Sequence, residues 1–491
     1  MIHPVAPLPA PSIDQQPESG LLLTLSHLQH GYTTGQLPPS QLVRKITADL
    51  ENRGDDGIWI TTSSTEELLA RASELEAMDD EQRQSCPLWG IPFSVKDCID
   101  ISGWPTSAAC PEFAYHATQT NPVIQMLLDA GAILIGKTNL DQFATGLVGI
   151  RTGYTTPHNA FSRDYIPGGS SSGAALSVAA GLVSFAIGTD TGGSGRVPAA
   201  MNNIVGLKPT KGLLSTRHTV EACKTLDCLS IFALTAADAY TVFELTQGCD
   251  PDHPFSRDLS LRPNPLPTYQ SSQPFRFGVP QPEQREFFGN TDVKDQYEEA
   301  IATLIQLGGT CFEIDYASFL QANELLFNGA WVAERYASIG QFIDDNPGAA
   351  FPITRQIISQ AKTLTAVEAF EGLYAVEQLK RTVYPLWDKI DCLVVPTTGT
   401  VYRIDEIEAE PVKLNANLGY YTNFVNLLDL AAIALPNGFQ SNGIPTGVTF
   451  IAPPFSEAYL TGLGSAFHHA STLQLGATSF TLAAASQSTS P

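Results

Sequence analysis

Residues 168–196 of this 491-residue chain read Gly168-Gly169-Ser170-Ser171-Ser172-Gly173, then an apolar stretch through Ile187, then Gly188-Thr189-Asp190-Thr191-Gly192-Gly193-Ser194-Gly195-Arg196. Two glycine/serine loops thus bracket one apolar excursion. The run from Ala174 to Gly188 is too short to span a bilayer and carries Ser177 and Ser184, so it reads as buried core. A helix over Ser172–Ala180 advances about 15 Å. A strand over Leu182–Ile187 returns about 20 Å. The chain therefore comes back to where it left, and the two loops lie side by side with Ser170 and Ser194 within reach of each other.

The same alternation runs along most of the chain. Ile91, Phe93 and Val95 alternate with Pro92, Ser94 and Lys96, which predicts a strand. Further strands are expected at 58–60, 132–135, 183–187, 275–279, 312–315, 392–395 and 448–451. Helical spacing is expected at 21–30, 40–52, 293–307, 317–342, 366–388 and 456–472. One more helix is expected from a Ser63 or Ser64 cap through Ala77, with Glu66 and Glu67 in its first turn. Strands interleaved with helices specify an α/β fold: a mixed sheet covered by helices on both faces. No internal repeat or linker divides it, so one large unit over 21–475 is expected, with a Pro-rich tail at 1–20 and an Ala/Ser/Thr-rich tail at 476–491.

Charge and cysteine content narrow the partners. The 27 Lys+Arg against 50 Asp+Glu give a net −23, a surface that repels phosphate backbones and excludes nucleic acid. A local cationic pocket inside such a shell can still take an anionic substrate. Eight scattered cysteines without a ligand cluster read as reduced thiols. With no signal-peptide pattern at the N-terminus and no membrane span, the expected location is the cytoplasm.

Successive N–H groups of a glycine-rich backbone can face an oxygen that gains negative charge, which makes Thr191, Gly192 and Gly193 a candidate oxyanion hole. A phosphate loop is the alternative, but neither segment has the Gly-x-x-x-x-Gly-Lys spacing. A serine nucleophile needs a base. Gly169–Gly173 matches G-x-S-x-G, with His468 or His469 downstream, yet no buried strand leads into it and Pro167 stands directly before the glycines. Lys96 is the other candidate. It sits on an apolar strand, where desolvation lowers proton affinity, and period-two alternation turns Asp97 to the opposite face. On pattern alone a Val-Lys-Asp strand end is more often an edge lysine.

Pro92–Asp97, Pro167–Gly173 and Gly188–Arg196, with intervals of 74 and 24 residues between Lys96, Ser170 and Ser194, together resemble the amidase signature family. The resemblance covers roughly residues 20 to 475. It implies Ser194 as nucleophile, Ser170 as a bridging serine on a cis peptide and Lys96 as base. Within the family, Leu140–Gly149, Arg196–Ala200 with Asn202–Gly206, Trp331–Tyr336 and Tyr421–Asn426 are similar to the allophanate hydrolase branch.

That branch implies hydrolysis of allophanate to ammonia and N-carboxycarbamate without metal or organic cofactor, in urea degradation. It also implies a functional link to urea carboxylase and allows a homodimer. Arg335 is then expected to bind the substrate carboxylate, with Phe327, Trp331 and Arg335 on one helix face. Gly146 and Gly149 are expected to line the pocket, and Lys96, Arg196 and Arg335 to be the cations near the site. Position 327, where that branch places a substrate-contacting tyrosine, is Phe327. No separate C-terminal decarboxylation domain is expected, so the product decomposes unaided or passes to another chain. Another small-amide amidase, acting on a biuret-like or malonamate-like substrate, and an amidotransferase A-type subunit are the other readings of the same motifs.

Overall fold

A computed structural model describes residues 21–258, 260, 266–270 and 273–482. The expected tail at 1–20, and that at 476–491 from residue 483 onward, lie outside the described residues. The strands are β1 (Trp59–Thr62), β2 (Pro92–Lys96), β3 (Pro105–Thr106), β4 (Tyr115–His116), β5 (Ile133–Thr138), β6 (Phe185–Asp190), β7 (Val205–Lys208), β8 (Cys228–Ala233), β9 (Phe275–Pro280), β10 (Gly309–Ile314), β11 (Cys392–Pro396), β12 (Ala431–Phe439) and β13 (Pro445–Ala452). Eleven of them form one sheet in the order β1-β5-β2-β6-β8-β7-β12-β13-β11-β9-β10. Pairing is parallel through β5-β2-β6 and β11-β9-β10 and antiparallel elsewhere, so the sheet is mixed.

Both faces of the sheet are buried, and the alternation of side chains shows it. Along β11, Cys392 and Val394 join the main core while Leu393 and Val395 join a second core with Tyr316, Phe319 and Phe424. On β12 and β13, Ile433 and Phe450 belong to the first core, Ala432 and Ile451 to the second. Successive strand residues face opposite sides, so each core marks one face, covered by its own helices.

The expected helix from Ser64 spans Thr65–Glu76 and is closed by a capping box between Ser64 and Glu67. Two expectations need correction. The helix foreseen over 317–342 is two helices, Ala317–Asn328 and Ala330–Asp345, broken at Gly329, whose backbone is extended. Apolar periodicity continues through the break, which is why sequence spacing reads it as one element. Residues 366–388 likewise divide into an α-helix, Ala366–Val383, and a 3₁₀ turn, Tyr384–Asp388, because Pro385 cannot donate the next helical hydrogen bond. The expected end of the folded unit at 475 falls inside a packed segment: Gly476 N–H donates to Asn203 O at 3.1 Å and Ala477 N–H to Ala179 O at 2.8 Å.

The excursion that opens the chain's chemistry folds as a helix, Ser172–Ala179, followed by β6. β6 lies between β2 and β8. Lys96 ends β2 and Asp190 ends its parallel neighbour β6, so both strands deliver their last residues to the same edge.

Among the described residues no helix is long and apolar enough to cross a membrane. All eight cysteines are unpaired and six are buried.

Candidate active site

Lys96, Ser170 and Ser194 meet at that edge. Lys96 Nζ donates to Ser170 Oγ at 2.8 Å and to Thr189 Oγ1 at 2.7 Å, and Ser170 Oγ donates to Ser194 Oγ at 2.9 Å. The Gly169–Ser170 peptide is cis. Lys96 and Ser170 are fully buried and Ser194 nearly so. Burial lowers the proton affinity of Lys96; the surrounding Cys98, Asp141, Asp227 and Asp190 offset this in part. Its neighbour Asp97 points to the other face of β2, where it pairs with Lys137 at 3.0 Å and accepts from Ser107 Oγ at 2.5 Å. No carboxylate therefore pairs directly with Lys96 among the described residues, and the neutral amine is the form that burial favours.

The loops that carry the serines are held by buried carboxylates. Asp141 accepts N–H groups from Val148, Gly149 and Arg151 at 2.9–3.1 Å, while its own N–H donates to Ser170 O at 3.0 Å. A Cβ on Gly169 would lie 2.2 Å from Asp141 Oδ2, so only glycine fits there. On the second loop Asp190 accepts Gly193 N–H and Gly195 N–H at 2.8 and 2.9 Å and both Nε and Nη2 of Arg196 at 2.9 Å. Asn202 ties the loops together by donating to Pro167 O and Pro198 O.

The orientation of the 191–194 backbone follows from its carbonyls. Asn426 Nδ2 donates to the carbonyls of Asp190 and Thr191 at 2.7 and 3.0 Å, and Thr422 Oγ1 donates to that of Gly192 at 2.8 Å. In a trans peptide the N–H points away from the carbonyl it adjoins, so the N–H groups of Thr191 and Gly192 turn away from the 422–426 segment. These two and the N–H of Ser194 have no hydrogen-bond partner among the described residues. Gly193, expected as a donor to an oxyanion, has its N–H engaged by Asp190.

Arg335 lies on the helix Ala330–Asp345. It is 4% exposed, its Nη1 donates to Thr145 Oγ1 at 3.3 Å, and its guanidinium lies 5.9 Å from the centre of the Phe327 ring. Its Nε is buried without a partner, and it forms no ion pair among the described residues. Phe327 and Arg335 meet although Gly329 separates their helices. Leu326, one residue before Phe327, covers Gly192: a Cβ there would lie 2.6 Å from Leu326 Cδ2.

Other expected residues have other surroundings. Arg196, fully buried, is consumed by Asp190 and Thr422 O and so builds the loop. Gly149 donates its N–H to Asp141 and packs on the Gly168 carbonyl; Gly146, at φ +156°, is half-buried beside Asp141 and Arg151. Ser171, the middle serine of G-x-S-x-G, donates to Thr189 O at 3.1 Å. His468 is buried in the helix Glu457–Ser471 with neither ring nitrogen hydrogen-bonded, its proton affinity pushed down to about 4 by burial.

Sequence reasoning missed Thr189, Asp227, Thr422, Asn426 and Thr145 as parts of the site. The string Tyr421–Asn426 is distinctive in the sequence, and that was the available signal; what its side chains touch lies more than two hundred residues away.

The model of the Amidase family matches residues 43–461. Urea amidolyase of Saccharomyces cerevisiae is 42% identical over 417 residues, which cover 84% of this chain and 22% of that protein. Urea amidolyase of Lachancea kluyveri is 40% identical, over 89% of this chain and 24% of that protein. The chain thus spans less than a quarter of the length of these curated relatives. The solved structure of Kluyveromyces lactis allophanate hydrolase superposes with a TM-score of 0.86 at 38% identity, covering 92% of this chain and 74% of that one.

Proposed function

The chain belongs to the amidase family, and from that membership we propose that it cleaves allophanate, urea-1-carboxylate, to ammonia and N-carboxycarbamate in urea degradation. The observation that carries the substrate is Arg335. A guanidinium buried without an ion-pair partner, near Asp227, which holds the Thr191 hydroxyl, suits a small amide with a carboxylate at its far end. Support also comes from the likeness to the yeast urea amidolyases and to the allophanate hydrolase of K. lactis.

In the resting arrangement donation runs from Lys96 through Ser170 to Ser194. A hydroxyl both donates and accepts, so the chain reverses when Ser194 attacks: Ser194 gives its proton to Ser170, and Ser170 gives one to neutral Lys96. The oxygen of the attacked terminal amide turns toward the free N–H groups of the 191–194 loop, which stabilise its developing charge. Ser170 returns a proton to the departing nitrogen, ammonia leaves, and Ser194 carries the acyl group. Water then gives a proton through Ser170 to Lys96 as it attacks the acyl carbon; the proton passes back through Ser170 to the departing Ser194 oxygen, which releases N-carboxycarbamate and restores the serine. Arg335 holds the carboxylate throughout, and Gly146 lines the approach to it.

Partners and place follow from the same reading. We propose a functional link to a urea carboxylase activity, which would supply allophanate, a homodimer, and the cytoplasm as compartment, where unpaired cysteines persist.

Purified protein assayed for ammonia release from allophanate, biuret, malonamate and glutamine, with Ser194→Ala as control, tests the proposal. Ser194-dependent turnover of allophanate above the others is expected. Ser194-dependent turnover of another amide without allophanate overturns the substrate; full activity of Ser194→Ala overturns the chemistry.

A further inference from the structure

Asp227 stands just before β8 and has no part in the relay, yet among the described residues it is the one acidic side chain that reaches the 191–194 loop from a distant segment. Its carboxylate accepts the hydroxyl of Thr191 together with the N–H groups of Ala222, at 2.8 Å, and Cys223, at 3.1 Å. It is 8% exposed. The carbonyls of Asp190, Thr191 and Gly192 are all drawn toward Asn426 and Thr422. Those three contacts fix the tilt of each peptide plane. They leave open how far the loop's first residue lies from the substrate. Among the described residues, the Thr191 hydroxyl is the only side-chain hydroxyl of that loop tied to a carboxylate, and its anchor is the residue that leads into β8, the strand that pairs with β6.

We infer that Asp227, acting through the Thr191 hydroxyl, is a positioning residue that sets the register of the oxyanion-binding N–H groups against the reacting carbonyl. Asp227 does not touch substrate. It fixes how far the peptide N–H of Thr191, and with it that of Gly192, stands from the reacting carbonyl. Its charge state suits that role. Burial pushes its carboxyl up to about 6, the hydrogen bonds from Thr191, Cys223 and Ala222 oppose that rise, and the carboxylate persists at neutral pH. Arg335 is the cation that acts on it. The loop that stabilises the oxyanion and the guanidinium that takes the carboxylate are thereby joined through one residue. The inference rests on the proposed role of the 191–194 backbone, but not on the identity of the substrate.

Thr191→Val removes the hydroxyl and keeps the shape, and Thr191→Ser restores a hydroxyl on a smaller side chain. In the full chain, Thr191→Val is expected to lower kcat roughly 10- to 100-fold with KM within about twofold, the scale of a small misplacement of aligned groups. Thr191→Ser is expected to recover to within about threefold of wild type. A substrate-independent readout separates this inference from the assignment of allophanate. The rate at which a fluorophosphonate labels Ser194, followed by intact mass, should fall and recover in the same order, because that reagent also builds negative charge on an oxygen beside the serine. Wild type that labels at Ser194 yet leaves allophanate intact removes the substrate proposal and leaves this test standing. Labelling and kcat of Thr191→Val within about twofold of wild type, or a loss confined to KM, overturn the inference. So does Thr191→Ser behaving like Thr191→Val. Asp227→Asn should reproduce the Thr191→Val loss; if it does not fold, the Thr191 pair decides alone.

Discussion

On the sheet side, every polar side-chain atom of Lys96, Ser170, Thr189 and Asp190 has a hydrogen-bond partner; all four residues are buried, three of them at the ends of β2 and β6 and Ser170 in the loop that leads into the helix Ser172–Ala179. On the helix side, Arg335 rests on one hydroxyl and one aromatic face, its Nε unpaired, on a helix that begins only after the break at Gly329. A proton relay works only at fixed distances, whereas a recognition group must exchange its partners for those of an incoming molecule. The first therefore belongs on the most tightly paired part of the molecule. The second belongs where a buried donor still lacks one.

If the division holds, kcat and KM separate by side. The largest effect is Ser194→Ala, expected to reduce kcat by at least about 10⁴-fold in an ammonia-release assay while KM stays near wild type; a loss of a few-fold would leave the relay without its nucleophile. Lys96→Ala comes next, at about 10²- to 10⁴-fold in kcat. The wild-type pH profile checks the same residue by sign. Burial lowers the pKa of Lys96, the neutral amine is the base, and activity is therefore lost as pH falls through that lowered value and regained above it. A kcat that rises as pH falls would count against a lysine base.

The helix side should answer in KM. Arg335→Ala removes charged hydrogen bonds worth about 1.5–3 kcal/mol, or roughly 10- to 150-fold in KM for a carboxylate-bearing amide, and should leave a neutral amide almost untouched. Equal losses for both amides would make Arg335 a structural residue and erase the comparison. The smallest effect expected is Phe327→Tyr. A hydroxyl added where the ring already lies near the guanidinium should lower KM for allophanate about two- to fivefold, measured beside unchanged kcat. An unchanged KM would confine position 327 to packing.

The sheet side was also the more legible in the sequence, for a physical reason. A serine carried by a glycine-rich loop at the end of a buried strand leaves a local mark, and the apolar excursion between Gly173 and Gly188 requires the two loops to be neighbours. Strand alternation alone placed Lys96 and Asp97 on opposite faces, and Asp97 indeed pairs away from the site with Lys137. What was not legible depends on contacts between distant segments. β7, β8 and β12 lie in the middle of the sheet and were not foreseen; β7 is only four residues long and β12 carries Pro436, Asn437 and Gly438, which read as a turn. Arg196 reads as a free cation until the loop closes and Asp190, six residues earlier, takes two of its nitrogens. The break at Gly329 is invisible to periodicity because the apolar face resumes at once beyond it.

The backbone after Ser194 is also laid directly on the sheet: a Cβ at Gly206 of β7 would lie 2.2 Å from the carbonyl oxygen of Gly195, and one at Gly447 of β13 would lie 2.3 Å from Ala200 Cβ. Contacts that close leave no volume into which the loop of Ser194 can grow. New substrates acquired by mutation in such a scaffold must then come through the helical cover, at positions such as 327 and 335.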